Sequence, residues 1–236
     1  MLYKHKFGIF YKDDNFNEIF SVRDSIQSLS ANDEIICGSQ KYAVNSILIL
    51  SEPEQVNLAF EIIREKDKGV SAYHGKMEVR DFTGDSLMLS DVVLASDINL
   101  GDEETGTIQR GVYRILPNPT RTFSRENKPF IFYEIYNLQK GENNLTNFEQ
   151  EITIRKKEDE SSLSSVINSF LDVIGFDSKG NEISLSSNYS TIETDPQIYL
   201  QLDLNDYEPG EYVISVSIKD KISSRETNRI AKIVWL

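Results

Sequence analysis

The chain has 236 residues, of which 39% are hydrophobic and 27% are charged, and its formal net charge at pH 7 is -13. This length suits one large globular domain or two domains of about 100 residues each. Both halves of the chain are acidic, and a negative surface repels phosphate backbones and anionic headgroups, so we expect no nucleic-acid partner and no membrane insertion.

The start of the chain leaves two compartments open. Its first residues, MLYKHKFGIFYKDD, include early charges and lack the long apolar core of a signal peptide. No later run approaches the ~18 apolar residues that a membrane helix needs. We therefore expect a cytoplasmic protein if Met1 is the native start, and a periplasmic or extracellular one if the chain is part of a longer exported protein.

Alternating apolar and polar residues predict strands in the first third of the chain, because a period of two is typical of a strand with one buried face. The predicted strands are KFGIFYKD (6–13), SILILSE (46–52), VNLAFEIIRE (56–65) and AYHGKMEVRDF (72–82). Turn residues recur about every 8 to 12 positions, which is the spacing of β-sandwiches.

A segment rich in glycine and acidic residues predicts a boundary between two domains. Residues 98–111 contain three glycines and the run Asp102, Glu103 and Glu104. We predict a first β-sandwich domain over 1–97, a linker over 98–111 and a second β-sandwich domain over 112–236. The expected fold is all-β, with two tandem immunoglobulin- or fibronectin-like sandwiches.

The second domain is predicted to contain further strands and one short helix. The strands are PFIFYEIYNL (129–138), FEQEITIRK (148–156), IYLQLDL (198–204), GEYVISVSIKD (210–220) and RIAKIVWL (229–236). Apolar residues from Leu163 to Ile174 recur at the spacing of one helical face, and Gly175 follows where a helix commonly ends. We expect this helix to cover the edge of the sandwich.

The stretch LNDYEPGEYVISVSIKD predicts a particular corner of a sandwich. Pro209 and Gly210 permit a sharp turn between two sheets. Tyr212 then stands where a tyrosine corner is expected, with its hydroxyl bonded to backbone upstream. Tyr212, Ile214, Val216 and Ile218 share one face, which we predict to be the buried one.

Three stretches together resemble the tandem β region of bacterial GWxTD-domain proteins. They are MEVRDFTGDSLMLSDVVLASDI (77–98), ILPNPTRTFSRENKPFIFYEIYNL (115–138) and YEPGEYVISVSIKD (207–220). The name-giving motif itself is absent, since the only tryptophan is Trp235. The resemblance implies an exported, envelope-associated protein and supplies no catalytic residues.

Side chains that could carry chemistry are sparse. The two histidines, His5 and His74, have no catalytic motif around them, so we expect no enzymatic activity and no cofactor. Asp81 and Asp85 could bind calcium weakly, together with the acidic residues of the predicted linker. Ordinary solvated turns are the alternative.

The strand PFIFYEIYNL is apolar on both faces, which predicts a strand that is covered on both sides. Glu134 would then need a partner, either an arginine such as Arg114 or Arg121 or the backbone amides of Ser90 and Asp91. One interpretation is an interdomain lock. The other is a recognition groove for sugar or peptide, and the residues proposed for this junction are Ser90, Asp91, Tyr133, Glu134, Tyr136 and Asn137.

These observations favour a non-catalytic interaction or structural module of a larger exported bacterial envelope protein. It would bind protein or polysaccharide through sheet edges or through the interdomain junction. The alternatives are accessory β-domains of an envelope hydrolase or peptidase, and a carbohydrate-binding module. An extended row of exposed aromatic side chains would favour sugar, whereas a bare edge strand would favour peptide.

Overall fold

The computed structural model describes residues 2–29, 47–102, 106–157 and 182–236, and all of the regular elements in these ranges are strands. Their bounds are β1 Leu2–Lys12, β2 Glu18–Leu29, β3 Gln55–Arg64, β4 Val70–Glu78, β5 Met88–Leu89, β6 Val93–Leu100, β7 Ile108–Arg110, β8 Tyr113–Pro117, β9 Thr122–Phe123, β10 Phe130–Tyr136, β11 Thr146–Lys156, β12 Glu182–Thr191, β13 Gln197–Gln201, β14 Gly210–Asp220 and β15 Glu226–Trp235. The described ranges contain no helix that could cross a membrane. The helix predicted between Leu163 and Ile174 lies outside them.

The chain divides into two compact units, Met1–Asp81 and Phe82–Leu236. This division precedes the boundary that the sequence predicted at residue 97. The reason is that β6 pairs with both β8 and β10, so its residues belong to the second unit. The predicted linker, residues 98–111, contains the end of β6 and all of β7, and both strands lie in one sheet of that unit.

The described residues of the first unit form one antiparallel sheet with the strand order β2-β1-β3-β4. They include one sheet, where a sandwich needs two. The stretch SILILSE was predicted to be a strand, but from residue 47 it has no regular structure, and Leu48 and Leu50 are 72% and 86% exposed. β2 was not predicted, because its residues are mostly polar.

The second unit is a β-sandwich. One sheet has the order β13-β10-β6-β8-β7, with β5 also paired to β10, and the other has the order β12-β11-β14-β15-β9. Side chains from both sheets share one core, in which Ile131 and Ile135 of β10 pack with Ile214 of β14 and Trp235 of β15. The all-β, sandwich-like architecture expected from the alternating pattern is therefore present in this unit.

The predicted corner before β14 is confirmed. β13 lies in one sheet and β14 in the other, so the chain crosses the sandwich between them. The hydroxyl of Tyr212 donates a hydrogen bond of 2.6 Å to the carbonyl oxygen of Glu208. Tyr212, Ile214, Val216 and Ile218 are all buried in the shared core, as the alternation predicted.

Candidate functional site

The two tyrosines proposed for a recognition groove lie on opposite faces of β10. Tyr133 faces the sandwich core and is completely buried. Tyr136 lies on the opposite face, since side chains of a strand alternate, and its ring packs against Phe82 at a centroid distance of 4.4 Å. One groove cannot be lined by both tyrosines, so the structure does not assemble the proposed groove.

Tyr133 belongs to a buried polar pair inside the sandwich. Its hydroxyl donates a short hydrogen bond to the side-chain oxygen of Gln150, which is also completely buried. The amide nitrogen of Gln150 lies 3.5 Å from the hydroxyl of Tyr189. Burial, followed by the nearby Tyr189, raises the pKa of the Tyr133 hydroxyl. This pair satisfies polar groups in the core and is not accessible to a ligand.

Glu134 has neutral hydrogen-bond donors in the structure, where an arginine or the amides of Ser90 and Asp91 were expected. Its carboxylate accepts 2.8 Å hydrogen bonds from the Tyr136 hydroxyl and from the Gln197 amide. Burial and the bond to Glu134 raise the pKa of Tyr136. Ser90 contacts the backbone of Glu134 and not its carboxylate: the Ser90 amide donates to the Glu134 carbonyl, and the Glu134 amide donates to the Ser90 hydroxyl, both at 2.9 Å.

Asn137 holds a turn together. Its φ is 66°, in the left-handed region that asparagine tolerates. Its backbone amide donates to the Asp195 carboxylate, and its side-chain amide donates to the carbonyls of Phe82 and Ser86. Its hydrogen-bonding capacity is therefore used within the fold, and a ligand would have to compete for it.

The acidic residues proposed for calcium do not form a site among the described residues. No group of three histidine, cysteine or acidic side chains converges there. The backbone carbonyl of Asp85 instead accepts a hydrogen bond from Arg225. Glu103 and Glu104 lie outside the described residues, so the predicted linker cluster carries no metal proposal.

β12 is a long edge strand that sequence reasoning missed. It pairs with β11 on one side, and no strand of the described ranges pairs with it on the other. The directions of its backbone groups follow from the hydrogen bonds of the whole sheet. In β15, the Val234 amide donates to the Arg121 carbonyl and so points away from β14. Backbone groups of successive residues point to opposite sides of a strand, and this rule, applied from β15 through β14 and β11 to β12, places the amides and carbonyls of Ser184, Ser186 and Asn188 on the open side.

We call this open side, with the side chains of β12 beside it, the β12 edge. Ile183 and Leu185 lie on the core-facing side of the sheet, opposite the buried Ile154 and Ile152 of β11. They are nevertheless 53% and 57% exposed. An uncovered apolar pair therefore adjoins a row of backbone groups that have no strand partner in the described part of the chain.

The β12 edge lacks most of the features that protect natural edge strands from pairing. Edge strands are commonly short, or carry lysine or proline. β12 has ten residues, no proline, and one charged residue, Glu182. The first unit has two further long edge strands: β2, with 12 residues, carries Glu18, Arg23 and Asp24, and β4, with nine, carries Lys76 in addition to the exposed Val70, Tyr73 and Met77.

Comparisons with protein-family models and with curated proteins find no match.

Proposed function

We propose that the protein is a non-catalytic interaction module of a larger exported bacterial envelope protein, and that it binds extended protein segments at the β12 edge. The observation that carries this proposal is the ten-residue edge strand with its exposed apolar pair. Added strands gain main-chain hydrogen bonds from such an edge, and alternate side chains of the added strand contact the apolar pair.

Peptide is favoured over polysaccharide by the positions of the exposed aromatic rings. Sugar-binding surfaces stack rings in a row, whereas no ring contact among the described residues joins any two of the exposed Phe16, Tyr73 and Tyr199. The envelope context rests on the resemblance to the β region of GWxTD-domain proteins and stays a prediction. For the second unit we propose the immunoglobulin or fibronectin type, supported by the tyrosine corner at Tyr212.

The test uses the full chain and a synthetic peptide of alternating valine and threonine, with binding followed by calorimetry. Ser186→Pro removes an amide from the open side and leaves the β11 ladder in place, because Ser186 does not pair through hydrogen bonds with β11. Ser186→Ala is the matched control: it removes the hydroxyl that bonds Glu149 but keeps the amide.

We expect wild type and Ser186→Ala to bind the peptide with similar affinity and Ser186→Pro to bind about tenfold more weakly or not at all. Equal affinity of all three variants would refute the β12 edge as the site. Soluble peptidoglycan fragments serve as the competing ligand. Binding of these fragments, with no binding of peptide, would replace this proposal with the carbohydrate-binding alternative.

A further inference from the structure

A second strand of the sandwich, β15, has an unpaired edge in the described structure, which begins where β9 stops pairing with it. β9 runs parallel to β15 and covers only Val234 and Trp235. Next to the uncovered part of β15 lies a cleft of about 670 Å³. We call it the β15 cleft, and its lining includes Val92, Leu94, Pro117, Pro119, Ile230 and Lys232.

Backbone groups of β15 point into this cleft. The Val234 amide donates to the Arg121 carbonyl at 2.8 Å, and the Leu236 amide donates to the Phe123 carbonyl at 3.0 Å. Since the direction alternates along a strand, the amides and carbonyls of Ile230 and Lys232 point to the same side. No backbone acceptor for these two amides is present among the described residues.

The side of the cleft opposite β15 includes Asn118, and hydrogen bonds of Asn118 fix the position of this segment. The Asn118 amide donates to the Leu94 carbonyl, and its side-chain nitrogen donates to the Thr122 carbonyl, both at 2.8 Å. Its side-chain oxygen accepts from the amide and the hydroxyl of Thr120. A wall fixed in this way keeps the space for a strand without a ligand present, which lowers the entropic cost of binding.

The charges on the rim favour an acidic occupant. Arg121 and Lys232 are exposed, and neither side chain makes a hydrogen bond or a salt bridge within the described residues, although Lys232 is close enough to Glu211 to help lower the pKa of that carboxyl. Asp91 is the one carboxylate on the lining. Two exposed cations beside one lining carboxylate, on a chain with a net charge of -13, form a local exception to the acidic surface, and they complement a carboxylate on an incoming segment.

We propose that the β15 cleft binds an extended, acidic segment of a partner protein. The segment adds to β15 where β9 ends, its backbone pairs with Ile230 and Lys232, its apolar side chains contact Val92 and Leu94, and a carboxylate meets Arg121. This inference rests on the proposed function, strand addition to an interaction module, but it concerns a different edge of the sandwich and a different ligand chemistry.

The test measures binding of two fluorescent heptapeptides to the full chain, one alternating valine with glutamate and the other alternating valine with lysine. We expect the glutamate peptide to bind and the lysine peptide to bind at least about tenfold more weakly. Exchanging both Arg121 and Lys232 for glutamine should weaken binding of the glutamate peptide about fivefold to tenfold and reduce its dependence on salt.

A backbone variant separates the two edges. Ile230→Pro removes an amide that faces the cleft and should abolish binding of the glutamate peptide, whereas Ser186→Pro should leave it unchanged. The reverse result would overturn the cleft and keep the proposed function. If both variants bind normally, or if both peptides bind equally, the cleft proposal fails.

Amide chemical shifts of the wild-type chain provide a readout that needs no variant. Addition of the glutamate peptide should shift the resonances of Ile230 and Lys232 more than those of Ser184 and Ser186. Shifts confined to β12 would overturn the assignment of the cleft.

Discussion

Replacing Asp220 by asparagine should destabilise the second unit by about 2–4 kcal/mol. Asp220 is completely buried at the end of β14, and its carboxylate accepts four hydrogen bonds. One oxygen accepts from the Gln139 amide at 2.9 Å and the Ser223 hydroxyl at 2.7 Å. The other accepts from the amides of Ile222 and Ser223. The carboxylate thus ties the β14–β15 turn to the segment that follows β10.

The size of the expected stability loss follows from the hydrogen bonds that asparagine can still accept at position 220. Its oxygen can serve the two turn amides, but its NH2 group then faces the Gln139 amide, donor to donor. A hydrogen bond to a charged group contributes about 1.5–3 kcal/mol, and leaving a buried donor unsatisfied costs about 1–3 kcal/mol. For a unit of this size the loss corresponds to a fall in melting temperature of about 5–15 °C.

Urea unfolding followed by the fluorescence of Trp235 measures this change directly, because the only tryptophan lies in the core of the same unit. The control is Asp206→Asn, which removes the same charge from an exposed position that has no hydrogen-bond or salt-bridge partner among the described residues. A loss below about 0.5 kcal/mol for Asp220→Asn, or an equal loss for the control, would refute the reasoning.

The same network predicts how stability depends on pH. Burial alone would raise the pKa of Asp220, but the hydrogen bonds from Gln139, Ser223 and Ile222 outweigh it and lower the pKa. A lowered folded-state pKa stabilises the fold above the unfolded value of about 3.9, and this contribution is lost as pH falls through the folded-state pKa. The gap between wild type and Asp220→Asn should therefore be constant from about pH 7 to 5 and narrow below about pH 4.

Three further substitutions test the polar contacts of the sandwich, each by urea unfolding. Tyr212→Phe removes the corner hydrogen bond and should cost about 1 kcal/mol, whereas Tyr207→Phe, whose hydroxyl has no partner in the described structure, should change little. Glu134→Gln should cost no more than about 1 kcal/mol, because Glu134 is only half-buried and the Tyr136 hydroxyl can accept a hydrogen bond from the new amide; a loss of several kcal/mol would indicate a buried ion pair. Tyr133→Phe leaves the buried Gln150 without its hydroxyl donor and should cost about 1–3 kcal/mol; a neutral result would show that the pair contributes nothing.

The alternation of apolar and polar residues identified strands whose apolar face is buried in the structure. β14 has an apolar face that the other sheet covers, so its period of two predicted both the strand and its buried side. β12 was missed because it is mostly polar, with serine and asparagine between its few apolar residues Ile183, Leu185 and Tyr189. The stretch SILILSE shows the opposite error: it was predicted to be a strand, but from residue 47 it has no regular structure. A pattern that is compatible with a strand does not form a sheet without a partner strand.

The candidate site was harder to predict than the fold. Tyr133 and Tyr136 are three residues apart, so their side chains lie on opposite faces of a strand. The proposed groove, which needed both on one face, therefore conflicted with the strand that the sequence itself predicted. The partners of Glu134 are different in kind, because Gln197 reaches it through strand pairing between residues distant in the sequence. Edge positions depend likewise on which strands end each sheet, and a single sequence does not contain that order.

The parallel pairing of Thr122 with Val234 also constrains the order in which this protein can be made. Contacts between distant residues form late, after the entropy of closing the intervening loop has been lost. During synthesis the two strands cannot meet until Val234 has left the ribosomal exit tunnel. The sheet that contains β9 and β15 therefore stays incomplete until all residues of the second unit have been translated.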